Sequence, residues 1–521
     1  MKENLYIYPI TKTSCEMLKK IALPLYLLSI FLLISACQNN EDSTVDLAFE
    51  NDTGAFEFRS SDKNLVEAFD WANEQAMSYV HDGEDPVGKW YEAALPNRQA
   101  FCMRDVAHQL TGANVLGLYE HNANMLYKFA SNISESKDWC SYWEINKDDV
   151  PAPVDYRNDK EFWYNLPANF DILQAAYNHY LWTGEKQMVE DPVFLNFYEK
   201  TLTDYIDRWD LSLDKVYTRK RFMNMVENVD SNDYFHVCRG IPGYDEGQGG
   251  RMTMGLDQLV IMAAAFRSAA AIAQISGDNE KFNDYSEQYN AIKTFIDEQW
   301  WDEERQSFKT FLMDDGTFKF AENKSVLFYQ LTEDSLKWQP TLQDLQQKVR
   351  EVNIETASHL PEVFFQYGEH EAAYETLLYL CDENTERREY PEVSFSVVGS
   401  IATGLMGIRP NVRTNSIMTV SRLSDNDAWV ELQNVPVFQN KVNLHHAGLS
   451  KSILTNKEGE VFTWNAFFLG RHKTINVDGE PQRVLFGNEI SGQKTTGVEV
   501  TVQPGQTVVV EVVEEAVSIE Q

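Results

Sequence analysis

The chain has 521 residues, with 45 Lys and Arg against 80 Asp and Glu, so its formal net charge is −35 and its pI is near 4.6. This charge excludes binding to the nucleic-acid backbone. The six cysteines are scattered, with no Cys-x-x-Cys and no zinc-ligand spacing. The composition therefore predicts neither a disulfide framework nor a structural metal, with a single unassigned bridge as the alternative in an exported protein, and it indicates no cofactor.

The first predicted element is an export signal. Lys19 and Lys20 form a short basic region, and an almost wholly apolar run follows at 21–36. The run is too short to span a bilayer permanently, and it ends in small residues before Cys37. This arrangement resembles the lipobox of bacterial lipoproteins, which implies that residues 1–36 are a signal peptide, complete from Met17 onward, and that Cys37 is acylated. The alternative is an ordinary signal peptide with a chance cysteine at its end.

A polar, acidic segment follows Cys37 and cannot form a core, so residues 37–54 are predicted to be a tether. Acidic residues directly after the cysteine resemble the surface-export signal of Bacteroidetes lipoproteins. This resemblance implies an outer-membrane lipoprotein, on the periplasmic side or at the cell surface, that is held to the membrane by its lipid anchor.

Residues 55–410 have the periodicity of helices. Short turns recur in which a helix ends at Gly184, Gly277 or Gly368 and an acidic residue opens the next helix. Repeated units of this kind predict stacked helical hairpins. The predicted fold is mainly α, an (α/α)6 barrel of six helical hairpins. Its twelve helices are predicted at 63–80, 104–117, 120–132, 166–183, 193–209, 256–276, 279–299, 324–331, 341–351, 360–367, 369–381 and 392–406.

Long loops precede most of the even-numbered helices. In a closed ring of six hairpins the even helices form the inner wall, so these loops share one face, where functional sites concentrate. Aromatic rings, amides and carboxylates together are the mixture that binds sugars by stacking and hydrogen bonding. For part of the rings, packing in the core is the alternative. The aromatic residues assigned to this face are Trp90, Tyr91, Trp139, Tyr142, Trp143, Tyr156, Trp163, Tyr164, Tyr234 and Tyr244.

After residue 410 the character of the sequence changes. The segments 429–432, 461–464 and 498–502 alternate or are rich in β-branched residues, with Gly and Asn turns between them. Residues 411–521 are therefore predicted to form a smaller domain, an antiparallel β-sandwich.

The start of the second helix carries the sharpest local motif. Arg104 and Asp105 present a cationic fork and a carboxylate, and His108 follows one turn along on the side of Arg104. This resembles the aromatic-x-Arg-Asp motif of the six-hairpin glycosidases, although Phe-Cys-Met at 101–103 replaces the usual Trp. The resemblance implies that Arg104 and Asp105 bind the non-reducing terminal sugar. A helix-start salt bridge is the alternative.

Two other segments, 162–165 and 300–303, resemble rhamnosidase-type members of that superfamily. The likeness spans roughly residues 60–410 in pattern. As a whole, the chain is similar to unclassified six-hairpin lipoproteins of marine Bacteroidetes loci that degrade sulfated, uronate-containing algal polysaccharides such as ulvan. The resemblance implies an enzyme acting at the non-reducing end of acidic oligosaccharides. Its implied substrate-binding residues include Trp163, Tyr164 and Asn165.

Acidic residues compete for the catalytic roles of a hydrolase. Hydrolysis needs one carboxylic acid to protonate the leaving oxygen and a second carboxylate to activate water. Glu392 opens the twelfth helix and Glu362 the tenth, each after a proline, which is also an ordinary helix start. Asp245 and Glu246 lie in a Gly-rich loop without a phosphate-binding motif. The order in the family implies Glu246 as acid and Glu392 as base, with Asp245 as a neighbouring candidate and Glu362 as a substrate-binding one.

Elimination is the rival chemistry. A base removes the C5 proton of a uronic acid while a cation holds its carboxylate, and loss of water or of a C4 substituent leaves a 4,5-unsaturated uronate. His108, His236 and Tyr156 are the candidate bases, and Arg104 and Arg239 are the candidate carboxylate ligands. A non-catalytic sugar-binding lipoprotein is a third hypothesis. Exo-acting hydrolysis is favoured, because that activity is the more frequent one among six-hairpin enzymes.

Overall fold

The computed structural model describes residue 49 and residues 52–221, 228, 230–237, 239–245 and 251–513. Cys37 and Glu246, which the sequence analysis singled out, lie outside these residues. From Asp52 onward the described residues belong to one compact unit.

Helices dominate the chain between 63 and 405. Their ends follow local signals: the Asp62 side chain accepts the N–H of Asn64 at 2.9 Å, Pro167 stands in a first turn, and Gly184 and Gly277 end helices in the left-handed conformation. In chain order the α-helices are α1 (Lys63–Met77), α2 (Met103–Val115), α3 (Tyr119–Ser131), α4 (Pro167–Thr183), α5 (Gln187–Glu190), α6 (Pro192–Leu202), α7 (Asp204–Arg208), α8 (Tyr234–Val237), α9 (Leu256–Ser276), α10 (Asn279–Gln299), α11 (Lys324–Phe328), α12 (Ser335–Lys348), α13 (Ile354–Ser358), α14 (Leu360–Gln366), α15 (His370–Cys381) and α16 (Pro391–Gly399).

Six of these helices form a closed ring. Helix α2 packs on α4, α4 on α9, α9 on α11, α11 on α14, α14 on the π-helical segment Ser400–Leu405 that continues α16, and α16 on α2. Ring helices α4, α9 and α16 bury most of their residues, because they contact neighbours on several sides. Helix α9 is buried over most of its length, whereas its partner α10 buries only Tyr285, Ile292 and Ile296. Ring helices therefore form an inner layer.

Helix α9 is the one described helix that is long and apolar enough to cross a membrane. Most of its residues are buried inside the protein, where it packs against α4 and α10. Its composition is that of a core helix.

Two sheets follow the helices. The first has the strand order β1-β17-β18-β19-β25-β21-β22, where β1 is Glu57–Ser60, and the second β15-β16-β20-β24-β23. Their pairs are antiparallel except β16 with β20, which are parallel. Inward side chains of both sheets, such as Leu432 and Trp464, share one apolar core with Val393 and Val397 of α16. The strands are β15 (Arg409–Asn411), β16 (Ser416–Val420), β17 (Trp429–Val437), β18 (Asn440–Ala447), β19 (Lys451–Glu458), β20 (Phe462–Leu469), β21 (Ile475–Val477), β22 (Glu480–Gln482), β23 (Leu485–Asn488), β24 (Lys494–Val502) and β25 (Thr507–Val512).

The prediction of a mainly helical region followed by a sheet-rich region is confirmed at this level. One strand differs from the predicted boundaries: β1 (Glu57–Ser60), which precedes the first helix, pairs with β17 and extends the first sheet. Phe58 of β1 is buried against Phe69 of α1, with ring centroids 4.8 Å apart. The strand is short and half-exposed, so its alternating pattern is too brief to be read from the sequence.

Short strand pairs brace the loops between ring helices. In chain order these strands are β2 (Val80–Asp82), β3 (Lys89–Tyr91), β4 (Ala100–Cys102), β5 (Glu144–Asn146), β6 (Tyr156–Asn158), β7 (Glu161–Phe162), β8 (Tyr164–Asn165), β9 (Arg239–Ile241), β10 (Met252–Gly255), β11 (Trp301–Asp302), β12 (Ser307–Phe308), β13 (Phe311–Met313) and β14 (Phe318–Lys319). They pair as β2–β3, β4–β5, β6–β7, β8–β9, β10–β13–β14 and β11–β12. Because loops are otherwise mobile, this bracing gives the loop residues defined positions.

Candidate active site

A cavity of about 670 Å³ lies where several ring helices begin. Arg104 and His108 come from the first turns of α2, Asp257 from α9, Lys324 from α11 and Glu392 from α16. The cavity is lined by Arg104, His108, Tyr244, Asp245, Asp257, Thr310, Phe311, Ala321, Glu322, Asn323, Lys324, Ser325, Lys348, Glu351, Val352, Asn353, Glu355, Thr356 and Glu392. Its volume is within the range of about 300–1,000 Å³ that is typical of small-ligand sites.

Two histidines hold the Glu392 carboxylate. Glu392 Oε1 lies 2.9 Å from His108 Nδ1 and 2.5 Å from His359 Nε2, and the two imidazole rings stand nearly perpendicular with centroids 4.4 Å apart. His108 lines the cavity, whereas His359 is buried behind it against Phe328. Glu392 itself is fully buried. The carboxylate is therefore positioned by its partners and shielded from bulk water.

The protonation of this triad follows from burial and hydrogen bonding. Burial lowers the pKa of both histidines, that of His359 to about 3, so both rings are neutral at neutral pH. Burial alone would raise the pKa of Glu392, but the two histidines outweigh it and hold the pKa of this carboxyl well below its usual range. Each neutral ring then donates one N–H to the carboxylate. Because His108 carries its proton on Nδ1, its Nε2 keeps a lone pair.

Tyr244 connects Arg104 to a buried carboxyl group. The Arg104 guanidinium lies over the Tyr244 ring, 5.3 Å from its centroid, and the Tyr244 hydroxyl donates to Asp171 Oδ1 at 2.6 Å. The His108 ring stands edge-on to the Tyr244 ring at 6.0 Å. Asp171, on α4, is 1% exposed, and burial raises its pKa to about 8. Tyr244 thus separates the cavity from a buried acid that is protonated at neutral pH.

Lys324 is a second cation in the same cavity. Burial lowers its pKa to about 8, with Glu392 opposing this shift and Arg104 adding to it. The Lys324 ammonium donates to the Glu355 carbonyl at 3.4 Å, and among the described residues no carboxylate oxygen lies within 4 Å of it. A partly buried ammonium of this kind gains free energy when an anion binds beside it.

Two aspartates line the cavity near Tyr244. Asp257 accepts the backbone N–H of Tyr244 at 2.6 Å and that of Gln258 at 2.9 Å. Burial raises the pKa of Asp257 to about 6 in spite of these bonds. Asp245, a candidate from the sequence, lines the same cavity. The backbone bonds give Asp257 a structural task, because they fix the segment that carries Tyr244.

Of the remaining candidates from the sequence, Asp105 and Glu362 lie close to this site without lining it. Asp105 is 4% exposed and accepts the Tyr390 hydroxyl at 3.2 Å, and burial raises its pKa well above the usual range. Neighbouring positions on a helix point about 100° apart, which separates Asp105 from Arg104. Glu362 accepts from Gln366 at 3.0 Å and lines a second cavity of about 40 Å³, which His108 also lines.

The other candidates hold the loops together. Arg239 is fully buried and pairs with Asp138 at 2.5 Å, and His236 pairs with Glu161 at 2.8 Å. Tyr156 donates to Asp159 at 2.5 Å. The remaining three are Tyr164, which is buried and donates to Asn169 at 2.5 Å, Asn165, which is buried in β8, and Trp163, which stacks on Tyr234 with centroids 5.5 Å apart. These six side chains do not line the larger cavity.

Sequence reasoning missed His359, Lys324, Asp257 and Asp171. A usable signal existed for three of them, because Lys324 and Asp257 stand in the first turn of a ring helix and His359 directly precedes one. Arg104 and Glu392 stand at the same kind of position, in the first turn of a ring helix. Asp171 lies deeper within α4 and is distinguished only by its burial.

Two groups of side chains have the composition of a metal site. His108, His359 and Glu392 each offer a ligand atom within 4.8 Å of the others, and so do Glu161, Asp233 and His236. In the second group Arg157 donates to both carboxylates. In the first, the hydrogen bonds of both histidines converge on one oxygen of Glu392, and because the pKa of that carboxyl is lowered, the proton of each bond lies on the histidine nitrogen. A metal ion would have to displace those protons.

No family model and no curated protein matches this sequence. Among solved structures, the chain is similar to a GH78 family rhamnosidase of Bacillus sp. GL1, with a TM-score of 0.53 and 12% identity over 77% of this chain and 40% of that chain. It is also similar to an α-L-rhamnosidase from Dictyoglumus thermophilum, with a TM-score of 0.54 and 13% identity over 88% of this chain and 51% of that chain. The chain thus spans about half or less of these proteins. Identities this low show a shared fold alone.

Proposed function

We propose that this protein is a carbohydrate-active enzyme that acts by elimination on a terminal uronic acid of an oligosaccharide. Water or a C4 substituent leaves, and the product is a 4,5-unsaturated uronate. The observation that carries the proposal is the pairing of His108 with Glu392, which presents a neutral, oriented imidazole to the cavity. An unprotonated imidazole held in a fixed orientation can act as the general base toward a proton on carbon.

His108 is the base in this proposal. Its Nε2 takes the C5 proton, and the positive charge that develops on the ring is stabilised by the Glu392 carboxylate through Nδ1–H. Glu392 and His359 are positioning residues: Glu392 bonds His108 Nδ1, and His359, which does not line the cavity, bonds the same oxygen of Glu392. His108 is thus a base whose orientation is fixed by Glu392, which is held in turn by His359.

Arg104 and Lys324 supply the cations. Removal of the C5 proton places negative charge on the adjacent carboxylate group, and cations fixed beside it stabilise that charge as it develops. Both side chains line the cavity with His108. A neutral sugar would leave the Lys324 ammonium partly desolvated without a counter-ion, so this pair favours an acidic substrate over a neutral one.

The architecture is consistent with this assignment. We infer that the ring of six helices with its outer helices is the six-hairpin (α/α)6 barrel that the sequence predicted. The two similar structures with TM-scores above 0.5 are named as rhamnosidases, so in those proteins the shared fold serves sugar chemistry. The proposed substrate is the non-reducing end of an acidic oligosaccharide, such as those of uronate-containing algal polysaccharides.

Exo-hydrolysis is the second candidate. Asp257, with a pKa of about 6, could act as the acid, and the second oxygen of Glu392, Oε2, has no hydrogen-bond partner among the described residues and could act as the base. Two observations count against it. Asp257 accepts two backbone N–H groups, which stabilise its charged form, and Glu392 is fully buried with a lowered pKa, which makes it a weak base.

A two-channel assay separates these chemistries. The protein is incubated with uronate-terminated oligosaccharides, and the ultraviolet absorbance of the conjugated double bond is followed together with new reducing ends. Elimination predicts absorbance that His108→Gln abolishes and that the control His121→Gln preserves, because His121 pairs with Asp82 outside the cavity. New reducing ends without absorbance would establish hydrolysis. If His236→Gln loses activity while His108→Gln keeps full activity, the base is His236, which pairs with Glu161 in the loops.

We also propose that the enzyme works at a membrane. The expectation of an acylated Cys37 and an acidic tether stands on the sequence pattern. An anchored exo-acting enzyme would meet oligosaccharides as they reach the outer membrane.

A further inference from the structure

Asp171 is a buried carboxyl group that the proposed proton abstraction does not use. It lies on ring helix α4, 1% exposed, and its Oδ1 accepts the Tyr244 hydroxyl at 2.6 Å. Tyr329 acts on the same carboxyl by lowering its pKa, an effect that burial outweighs. Burying a carboxyl group costs free energy unless it stays protonated or is well paired, so its retention behind the cavity calls for a role.

Tyr244 connects this acid to the cavity, because its side chain lines the cavity and its hydroxyl bonds Asp171. The Tyr244 ring lines the cavity between Arg104, whose guanidinium lies over it, and His108, which stands edge-on to it. Asp257 fixes the Tyr244 backbone from the other side. A substrate whose C5 proton faces His108 therefore lies in the same cavity that the Tyr244 side chain lines.

Both groups carry protons at neutral pH. Burial raises the pKa of Asp171 to about 8 and that of Tyr244 well above its usual range. The groups that face Asp171 are Tyr244, Tyr329, Arg104 and Asp257, of which only Arg104 favours its ionised form by charge. In the structure the Tyr244 hydroxyl donates to Asp171; the relay requires this bond to reverse, so that the protonated carboxyl donates to the phenolic oxygen and the Tyr244 proton is free to point into the cavity.

We propose that Asp171 and Tyr244 form a proton relay that protonates the oxygen leaving from C4. The inference rests on the proposed elimination and deepens it by naming the acid. As His108 Nε2 takes the C5 proton, the C5–H electrons form the C4–C5 double bond and the C4–O bond breaks. Tyr244 gives its proton to the departing oxygen and receives the proton of Asp171. His108 ends protonated and Asp171 ionised, and solvent restores both.

The deciding experiment compares two leaving groups in the full-length protein. A uronate with a free C4 hydroxyl loses water and needs the acid, whereas its 4-fluoro analogue, nearly the same size, loses fluoride and needs little proton transfer. Tyr244→Phe should slow elimination of water by about 100-fold or more, as loss of a general acid does, and elimination of fluoride by less than about ten-fold. Asp171→Asn should show the same selectivity.

Controls keep the test specific. Tyr374→Phe removes an equivalent tyrosine–aspartate hydrogen bond, that of Tyr374 to Asp62 at 2.5 Å on outer helix α15, and should leave both reactions unchanged. Equal loss of both reactions in Tyr244→Phe would overturn the relay, because a base or a structural residue serves both leaving groups. A wild-type protein that eliminates neither group would refute the proposed function instead.

Discussion

His108 Nδ1 lies 2.9 Å from Glu392 Oε1, although the two residues stand 284 positions apart in the chain. They meet because α2 and α16 pack side by side where the ring of helices closes. Gly112 on α2 permits this approach, since a Cβ at that position would lie 2.0 Å from the Phe395 carbonyl oxygen. The contact that orients the proposed base is thus a product of ring closure.

Replacing Glu392 by Gln should cut elimination by about 10²–10⁴-fold while the protein stays folded. An amide can present an N–H to His108 and so favour the tautomer with the proton on the cavity side, which is unable to accept one from carbon. The turnover number and the melting temperature are measured together. The control Glu431→Gln alters an equally buried pair, with His445 at 2.9 Å in the sheet region, and should leave turnover unchanged. Normal turnover in Glu392→Gln would contradict the orienting role.

Arg104→Ala should lower kcat/KM by about ten-fold or more, since ~1.4 kcal/mol of lost transition-state binding suffices. Its melting temperature should change little, because a charged side chain in the first turn of a helix contributes about 0–1 kcal/mol to stability. Arg251→Ala, which removes an exposed arginine that pairs with Asp314 and Asp315, is the matched control. A variant that melts early but turns over normally would make Arg104 structural.

The Lys324 charge should control anion binding above neutral pH. Its pKa is lowered to about 8, so the side chain carries a positive charge below that pH and loses this charge as the pH rises through it. The affinity of a 4-deoxy uronate, which has no leaving group, should therefore weaken above pH 8. In Lys324→Arg the cation persists, so calorimetric affinity should stay flat across that range. Identical pH profiles for the two proteins would rule out Lys324 as the carboxylate's partner.

Chelation should leave the enzyme active. The His108–Glu392–His359 hydrogen bonds need a proton on each bonded nitrogen, whereas metal ligation needs a lone pair there. After dialysis against EDTA, turnover should match that of untreated protein, and elemental analysis should find no stoichiometric metal. Activity that is lost and then restored by Zn²⁺ alone would assign these three residues to a metal centre.

Cys37→Ser should release the protein from the membrane fraction, because acylation needs the thiol and one signal peptide alone provides no lasting anchor. Fractionation followed by immunoblotting measures the distribution. The control Cys381→Ser alters a cysteine within α15 and should keep the protein in the membrane fraction. Unchanged attachment in Cys37→Ser would disprove lipidation.

The sequence by itself determined the local features of this protein. Helix ends at Gly184 and Gly277, the change to strands after residue 410, and Arg104 and Glu392 at helix starts all follow from signals within a few residues. Such signals act through backbone conformation and hydrogen bonds to near neighbours, so a reader of the sequence can find them.

Only the tertiary structure decided which of these residues meet and how each is ionised. Periodicity marks the buried side of a helix but not its partner, so the convergence of Asp257 and Lys324 on one cavity, with His359 buried behind it, could not be read from the chain. The same limit explains why Arg239 and Tyr164 looked like ligands, since an aromatic or charged loop residue has the same sequence whether it faces a sugar or the core. Burial then lowered the pKa of His108 and raised that of Asp171, because the desolvation of a charge depends on every atom packed around it.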